Sequence, residues 1–396
     1  EGWADSYNSL LSLLYKGIHP TWDTHLIRAK GTRLKTFGGR ASGPEPLEKL
    51  FKFTVNMFYK RIGSRLTSLD VHDLICMIGE IVISGGVRRS ALISLSDLDD
   101  RDMAKAKSGP WWEDAGHRSL SNNSAVYETK PSLGRFIEEW GVLYDSRSGE
   151  RGICNREAMN TLAMDSLREP AKWGTNPCSE IILRPKQFCN LTEVVVRPYD
   201  NSATLQHKVK MATILGTVQS ACTRFPYLDP EWKKNCEDER LLGVSFTGIY
   251  DSELMSTNNG ELKELLSKLN YDAREMNIEW AKILDIELSK SITCCKPSGT
   301  TSCVAGTSSG IHPRFSKYYI RRVRIDNSNP LREFMKDQGI LSEECVTRPD
   351  NTTIFSFPVK SPNGVMTYEN YNPIKHLELW LTYQKYWCDH KPSVTI

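Results

Sequence analysis

Apolar residues recur at helical spacing over 3–15, 47–59, 71–83, 133–143, 209–222, 262–284 and 374–387, which predicts amphipathic helices there. Between them lie short β-type runs at 90–94, 152–155, 193–196, 242–246, 318–325, 352–357 and 393–396. Strands alternating with helices over the whole length predict an α/β protein with a largely parallel sheet. No internal repeat or Gly/Ser linker divides the pattern, so one domain is expected. Three loop-rich stretches interrupt it: the glycine-dense turn 37–44, the aromatic loop 107–112 ahead of Ser121-Asn122-Asn123-Ser124, and Lys296-Pro297-Ser298-Gly299-Thr300-Thr301. Loops held on a rigid scaffold are where sites usually sit.

Composition narrows the class. The 396 residues are 39% hydrophobic and 25% charged, the balance of a globular chain. Lysine plus arginine total 51 against 48 acidic residues, a net charge of +3, which leaves no footprint for a nucleic-acid polymer. No apolar run approaches the roughly 20 residues of a membrane helix and no signal peptide opens the chain, so a cytoplasmic protein without a membrane partner is expected. The chain starts at Glu1-Gly2-Trp3 without methionine and stops on the strand-like Ser393-Val394-Thr395-Ile396, so it is expected to be a fragment of something longer. The eleven cysteines contain no Cys-x-x-Cys pair, and Cys294-Cys295 with Cys303 lacks ligand spacing to histidines; no metal site is expected. An odd count in a long chain also argues against a secreted disulfide framework.

The segment Gly174-Thr175-Asn176-Pro177-Cys178-Ser179-Glu180 sets an amide, a thiol and a carboxylate in one short turn, with Pro177 restricting it. Asn176 can donate and accept hydrogen bonds to a polyol and Glu180 can accept a hydroxyl proton. An ordinary Asn-Pro turn beside a buried cysteine fits the same residues. The Ser298–Thr301 turn has small residues, hydroxyls and a following helix start, which suit a phosphate or simply a helix cap; Lys296 could add charge.

The continuation NPCSEIIL followed by FCNLTEV resembles the finger loop of the ribonucleotide reductases and the redox cysteine after it. Further landmarks similar to that family follow in order: FGGRASGPEPL at 37–47, GGVRRSA at 85–91, SNNS at 121–124, GICN at 152–155, RLLGVSFTG at 240–248, KPSGTTSCVAGTSSGIHP at 296–313, YIRRVR at 319–324 and SVTI at 393–396. GGVRRSA, SNNS and PSGT resemble the adenosylcobalamin-dependent (class II) branch, especially its monomeric triphosphate-reducing type, more than the diiron branch.

The resemblance implies a ten-stranded α/β barrel of two parallel five-stranded halves, with a first half over 1–170, a finger loop over 174–190, a second half over 191–396 and the first strand upstream of Glu1. It implies that Cys178 becomes a thiyl radical that abstracts the 3′-hydrogen of a ribose, with adenosylcobalamin as radical source. Glu180 then accepts the 3′-hydroxyl proton, Asn176 holds the hydroxyls, and Cys189 is one of two cysteines that deliver electrons and close to a disulfide. Ser298, Gly299, Thr300 and Thr301 would support the substrate phosphates. Gly38, Gly39, Ser42, Trp111 and Trp112 fall in segments matching the specificity loops, although a plain surface connection fits Trp111 and Trp112 as well. Arg88 and Arg89 could form ion pairs inside a barrel. The partners implied are a ribonucleoside tri- or diphosphate, dNTP or ATP effectors and a thioredoxin-like reductant. The partner of Cys189 and a C-terminal cysteine pair would lie outside the chain, so the segment alone is expected to bind substrate without sustained turnover. Cys76 and Cys154 are weaker candidates for that partner. Three alternatives stay open at this point: a reductase whose radical comes from a separate metal-binding subunit, an inactive nucleotide-binding paralogue, and a generic α/β nucleotide-binding domain.

Overall fold

The structure, a computed structural model, describes residues 2–34, 40–84, 87–88, 90–327, 329–346, 349 and 352–396, without the side chains of 83, 84, 87 and 88. It is mixed α/β and divides into two compact units: residues 1–127, 131–154 and 320–359 form one, and residues 128–130, 155–319 and 360–396 the other. No described helix is long and apolar enough to cross a membrane.

In the first unit the helices Gly2–Tyr15, Glu45–Lys60 and Ser68–Ile81 bury Leu10, Leu47, Leu50, Phe51, Val55, Met77 and Ile81 against one another. Thr67 starts the third helix through a capping box with Asp70, which satisfies two otherwise orphaned backbone donors. Strand Leu92–Asp97 runs parallel to Ser121–Tyr127, register Leu92↔Ser121, and Gly152–Asn155 is the third strand of that sheet. A separate three-stranded sheet is ordered Tyr318–Asp326, Thr352–Lys360, Ser342–Glu344.

The second unit carries the hairpin of residues 174–183. A short antiparallel hairpin joins β1 (Gly174–Thr175) to β2 (Ile182–Leu183). Strand β3 (Leu191–Val195) is followed by helices α1 (Ser202–Ser220) and α2 (Pro230–Glu239) and then by β4 (Gly243–Thr247), which pairs parallel to β3. A parallel bridge from Val244 to Thr293 extends this pair by one step. Strand residues alternate between faces. Val194, Val244, Phe246 and Cys295 accordingly join the core built by α1, the long helix α3 (Gly260–Leu284) and α4 (Pro373–Tyr386), which contributes Leu379 and Tyr383. The residues between them, such as Glu193 and Ser245, face away from that core.

Loops of this unit are locked by a buried ion pair. Arg314 donates two 2.8 Å bonds to Asp251, and the backbone N–H of Ser308 donates a third. The remaining donors of Arg314 include one to the carbonyl of Gly306 at 2.7 Å. Removing one partner of such a pair strands a buried charge, so Arg314→Met should cost about 3–5 kcal/mol in urea unfolding. Adding Asp251→Asn should return most of that loss.

The seven predicted helices are present, each displaced at an end by one to seven residues: for example 209–222 against α1, and 71–83 against Ser68–Ile81. The 393–396 run differs from expectation. It forms no strand; a single parallel bridge joins Cys295 to Pro392, through Cys295 N–H to Lys391 O and Ser393 N–H to Cys295 O. The next step of such a ladder would need an N–H from position 297, which is proline, and Thr395 N–H donates instead to His312 Nε2 at 3.0 Å.

Candidate active site

Asn176, Pro177, Cys178, Ser179, Glu180 and Ile181 form the tip of the β1–β2 hairpin. The tip is closed internally: Ser179 N–H donates to Asn176 O at 2.8 Å, Asn176 N–H to Ile181 O at 3.4 Å, and Ile181 N–H to Asn176 Oδ1 at 3.0 Å. Asn176 therefore spends its side-chain carbonyl oxygen on the turn, and its side chain acts on Glu180 by favouring the charged carboxylate. Ser179 adopts φ 65°, a left-handed conformation that makes the turn tight enough to set Cys178 and Glu180 two residues apart at one tip.

The return arm is held from outside. Lys391 N–H donates to Glu180 O at 3.2 Å, and Ile182 N–H donates to His390 Nδ1 at 3.3 Å. The other ring nitrogen of His390 lies 3.1 Å from Leu242 O, which fixes it as the N–H donor and makes the ring a neutral bridge. Burial keeps His390 neutral, pulling its pKa down to about 3, with Arg168 adding to the shift. The sequence offered no sign of this histidine, which stands 208 positions from Ile182.

The three side chains of the tip have different surroundings. Glu180 is fully buried, and neither carboxylate oxygen has a hydrogen-bond partner among the described residues. Burial raises its pKa, opposed by Asn176 and by the charges of Lys296 and Lys391. Cys178 reaches the surface, yet the protein packed about its sulfur pushes the thiol pKa up; the Glu180 charge adds to this and Lys296 opposes it. A raised thiol pKa keeps the S–H bond intact at neutral pH. Cys189, just ahead of β3, is likewise exposed and raised, by burial of its sulfur and then by Glu180, with Lys296 again opposing.

Cys178, Glu180, Cys189 and Lys296 are thus within electrostatic reach of one another. The fully buried Cys294 shares this neighbourhood; its thiol is raised well above the ordinary value by burial first and by Glu180 next. Beside Cys189 lies a cavity of about 260 Å³ whose lining includes Phe188, Cys222, Cys236 and Arg240.

The 298–301 segment is only partly open. Ser298 is buried and its hydroxyl accepts from Ser302 N–H at 3.0 Å, while its own N–H donates to Ser309 Oγ at 2.8 Å. The bond from Ser302 satisfies an N–H in the first turn of the one-turn helix Thr301–Ala305, whose N-cap position is Thr300, and Gly299, Thr300 and Thr301 are the exposed members. Gly310, at φ 55°, lies under this loop so closely that a Cβ there would come within 2.3 Å of Lys296 O.

Of the remaining predicted site residues, Ser42, Trp111 and Trp112 lie in the first unit. Gly38 and Gly39 are outside the described residues, as are Arg89 and the side chain of Arg88. Ser42 lines a mainly apolar cavity of about 820 Å³ together with Trp3, Tyr7 and Leu34. Trp111 is half-buried with Lys107 5.3 Å from its ring, and Trp112 is exposed. The segment carrying them is anchored at its end, where Arg118 donates two 2.7 Å bonds to Asp73 and His117 lies 3.2 Å from the same carboxylate. Cys76 and Cys154 are buried in this unit. Among the described residues no group of three or more His, Cys, Asp or Glu side chains is arranged to hold a metal.

No family model matches the chain. Its full length aligns at 30% identity with an adenosylcobalamin-dependent ribonucleoside-triphosphate reductase of Euglena gracilis and at 29% with that of Lactobacillus acidophilus, covering 54% and 57% of those proteins. Among solved structures, a B12-dependent (class II) ribonucleotide reductase superposes with TM-score 0.69 at 26% identity, over 93% of this chain and 55% of that one. The chain is a homologue of the ribonucleotide reductases. Both of these curated relatives are named adenosylcobalamin-dependent ribonucleoside-triphosphate reductases, and the chain spans about half the length of the curated relatives it matches.

Proposed function

We propose that this chain is the catalytic region of a ribonucleotide reductase that acts on ribonucleoside triphosphates with adenosylcobalamin. The observation that carries the reading is the hairpin tip: an exposed thiol at Cys178 beside a buried carboxylate without a hydrogen-bond partner among the described residues at Glu180, with Cys189 in the same electrostatic neighbourhood. A ten-stranded barrel around this tip is the architecture the reading carries with it, and the parallel β3–β4 pair suits it.

Cys178 is the group that a bulky radical source can approach, because it is exposed where Asn176 and Glu180 are buried. Adenosylcobalamin, when bound, would supply the radical chemistry that removes the Cys178 hydrogen atom. The sulfur then takes the 3′-hydrogen of the ribose. Glu180 accepts the 3′-hydroxyl proton, Asn176 donates to a ribose hydroxyl, and the 2′-hydroxyl departs as water. Cys189 and a second cysteine supply two electrons and two protons, one to the leaving hydroxyl and one to the 2′ carbon, and join as a disulfide; Glu180 returns its proton to the 3′ oxygen and Cys178 its hydrogen to the 3′ carbon. Gly299, Thr300 and Thr301 offer exposed backbone and hydroxyl donors to the substrate phosphates. Effector dNTP or ATP, a thioredoxin-like reductant and a cytoplasmic location belong to the same reading.

The test is an anaerobic assay of the full-length protein with a ribonucleoside triphosphate and a dithiol. Deoxynucleotide formed on adding adenosylcobalamin alone supports the reading; activity that appears only with a separate metal-binding subunit overturns the choice of cofactor.

A further inference from the structure

Glu239 closes α2 and is buried to 1% exposure, far along the chain from either cysteine. Its carboxylate gathers three side chains. Arg168, also buried, donates to it at 2.8 Å; Gln187 donates through Nε2 at 2.6 Å; and Arg184 completes an ion pair with the same group. Each of those partners is tied to the segments that carry the thiols. Arg168 donates through Nη1 to Ile182 O at 3.0 Å, on the return arm of the Cys178 hairpin, and its guanidinium lies 4.4 Å from the Trp173 ring, just ahead of the outgoing arm. Gln187, two residues before Cys189, also donates to Asn235 O at 3.2 Å and accepts from Arg184 N–H at 3.1 Å.

We infer that Glu239, acting through Arg168 and Gln187, is a positioning residue that holds Cys178 and Cys189 in the register their shared chemistry needs. The inference rests on the reading given under Proposed function. A buried ion pair is a poor source of net stability compared with apolar packing of the same volume, so its directional bonds are what this arrangement adds. Burial acts to raise the Glu239 carboxyl, and Arg168, Arg184 and Gln187 outweigh it, so the group stays charged and its bonds stay strong. Among the described residues no hydrogen bond or ion pair joins the network to a thiol, so it acts by placing backbone. Misplacement by about 1 Å can cost on the order of 100-fold in rate.

The test uses full-length Glu239→Gln and Gln187→Leu; the second leaves the ion pairs of Arg168 and Arg184 with Glu239 whole and removes the bonds that tie the Cys189 arm to Glu239, Arg168, Asn235 and Arg184. Three quantities are read: kcat and KM for deoxynucleotide formation, the rates at which iodoacetamide alkylates Cys178 and Cys189, and the melting temperature. The expected result for a folded variant is a kcat lower by about tenfold or more with KM little changed, and an altered ratio of the two alkylation rates across pH. A role confined to stability would lower the melting temperature alone. If Glu239→Gln does not fold, Gln187→Leu decides. A folded Gln187→Leu protein whose kcat and Cys189 alkylation rate both stay within about twofold of the parent overturns the inference. Should the parent itself make no deoxynucleotide, the functional reading fails instead, and the alkylation ratio still reports on the tether.

Discussion

Replacing Cys178 with alanine in the full-length protein is expected to lower deoxynucleotide formation by about four orders of magnitude or more, to the background of the uncatalysed reaction. Among the described residues no neighbouring thiol is placed to take over. Cys189 and Cys294 share the electrostatic surroundings, but Cys189 lies ahead of β3 rather than on the tip and Cys294 is fully buried. The same substitution is expected to leave folding intact, since Cys178 is exposed and lies outside the helix-backed core. Equilibrium binding of the triphosphate should also persist, because the exposed 299–301 loop does not involve the thiol. Measuring product by chromatography alongside nucleotide binding separates loss of chemistry from loss of structure.

Glu180→Gln is expected to have an effect of two signs. In the proposed mechanism Glu180 acts as general base and must be deprotonated, and removing such a group lowers rate by about 10²–10⁴-fold. Its pKa is raised by burial, so the acid limb of kcat/KM should lie above the ordinary carboxylate range and disappear in the variant. Stability moves the other way. A raised pKa means the folded state holds the proton more tightly than the unfolded chain does. Folding is therefore favoured below the unfolded carboxylate value of about 4.3, weakens as pH rises through the higher folded value, and stays weakened above it. Glutamine carries no charge to bury, so at neutral pH the variant should melt at a higher temperature than the parent. A protein that loses activity while gaining stability is the signature of a carboxylate kept in an unfavourable place for chemistry.

How much of this was legible beforehand depended on distance along the chain. Asn176, Cys178, Glu180 and Cys189 fall within fourteen consecutive positions, so a single stretch of sequence displays their grouping. Arg168 and Glu239 stand 71 residues apart, and nothing local in either segment announces that they meet. His390 and Lys391, which grip the return arm, are farther still. Only the folded chain brings them to Ile182 and Glu180.

The same contrast holds for elements. Long helices with an apolar stripe, such as α3, are visible from periodicity because that stripe is what tertiary packing buries. Pro230–Glu239 has only Asn235 and Glu239 buried, so it shows no apolar face; its start is marked instead by Asp229, whose side chain accepts from Glu231 N–H, and by Pro230. Strand Ser121–Tyr127 opens on Ser-Asn-Asn-Ser, a run with little strand propensity, and parallel pairing with Leu92–Asp97 overrides it. Buried polar positions such as Asn123 follow from that override: its backbone N–H donates to Glu150 at 3.1 Å and its side chain meets His72 at 3.2 Å.

The central claim is that an unpaired electron on the Cys178 sulfur performs the reaction. The most direct measurement is rapid-freeze electron paramagnetic resonance of the full-length protein, mixed with adenosylcobalamin and a ribonucleoside triphosphate, prepared with ordinary cysteine and with cysteine deuterated at the β carbon. The account predicts a radical signal that narrows on deuteration and is absent from Cys178→Ala. A signal that forms equally well in Cys178→Ala, together with undiminished deoxynucleotide product, would contradict it.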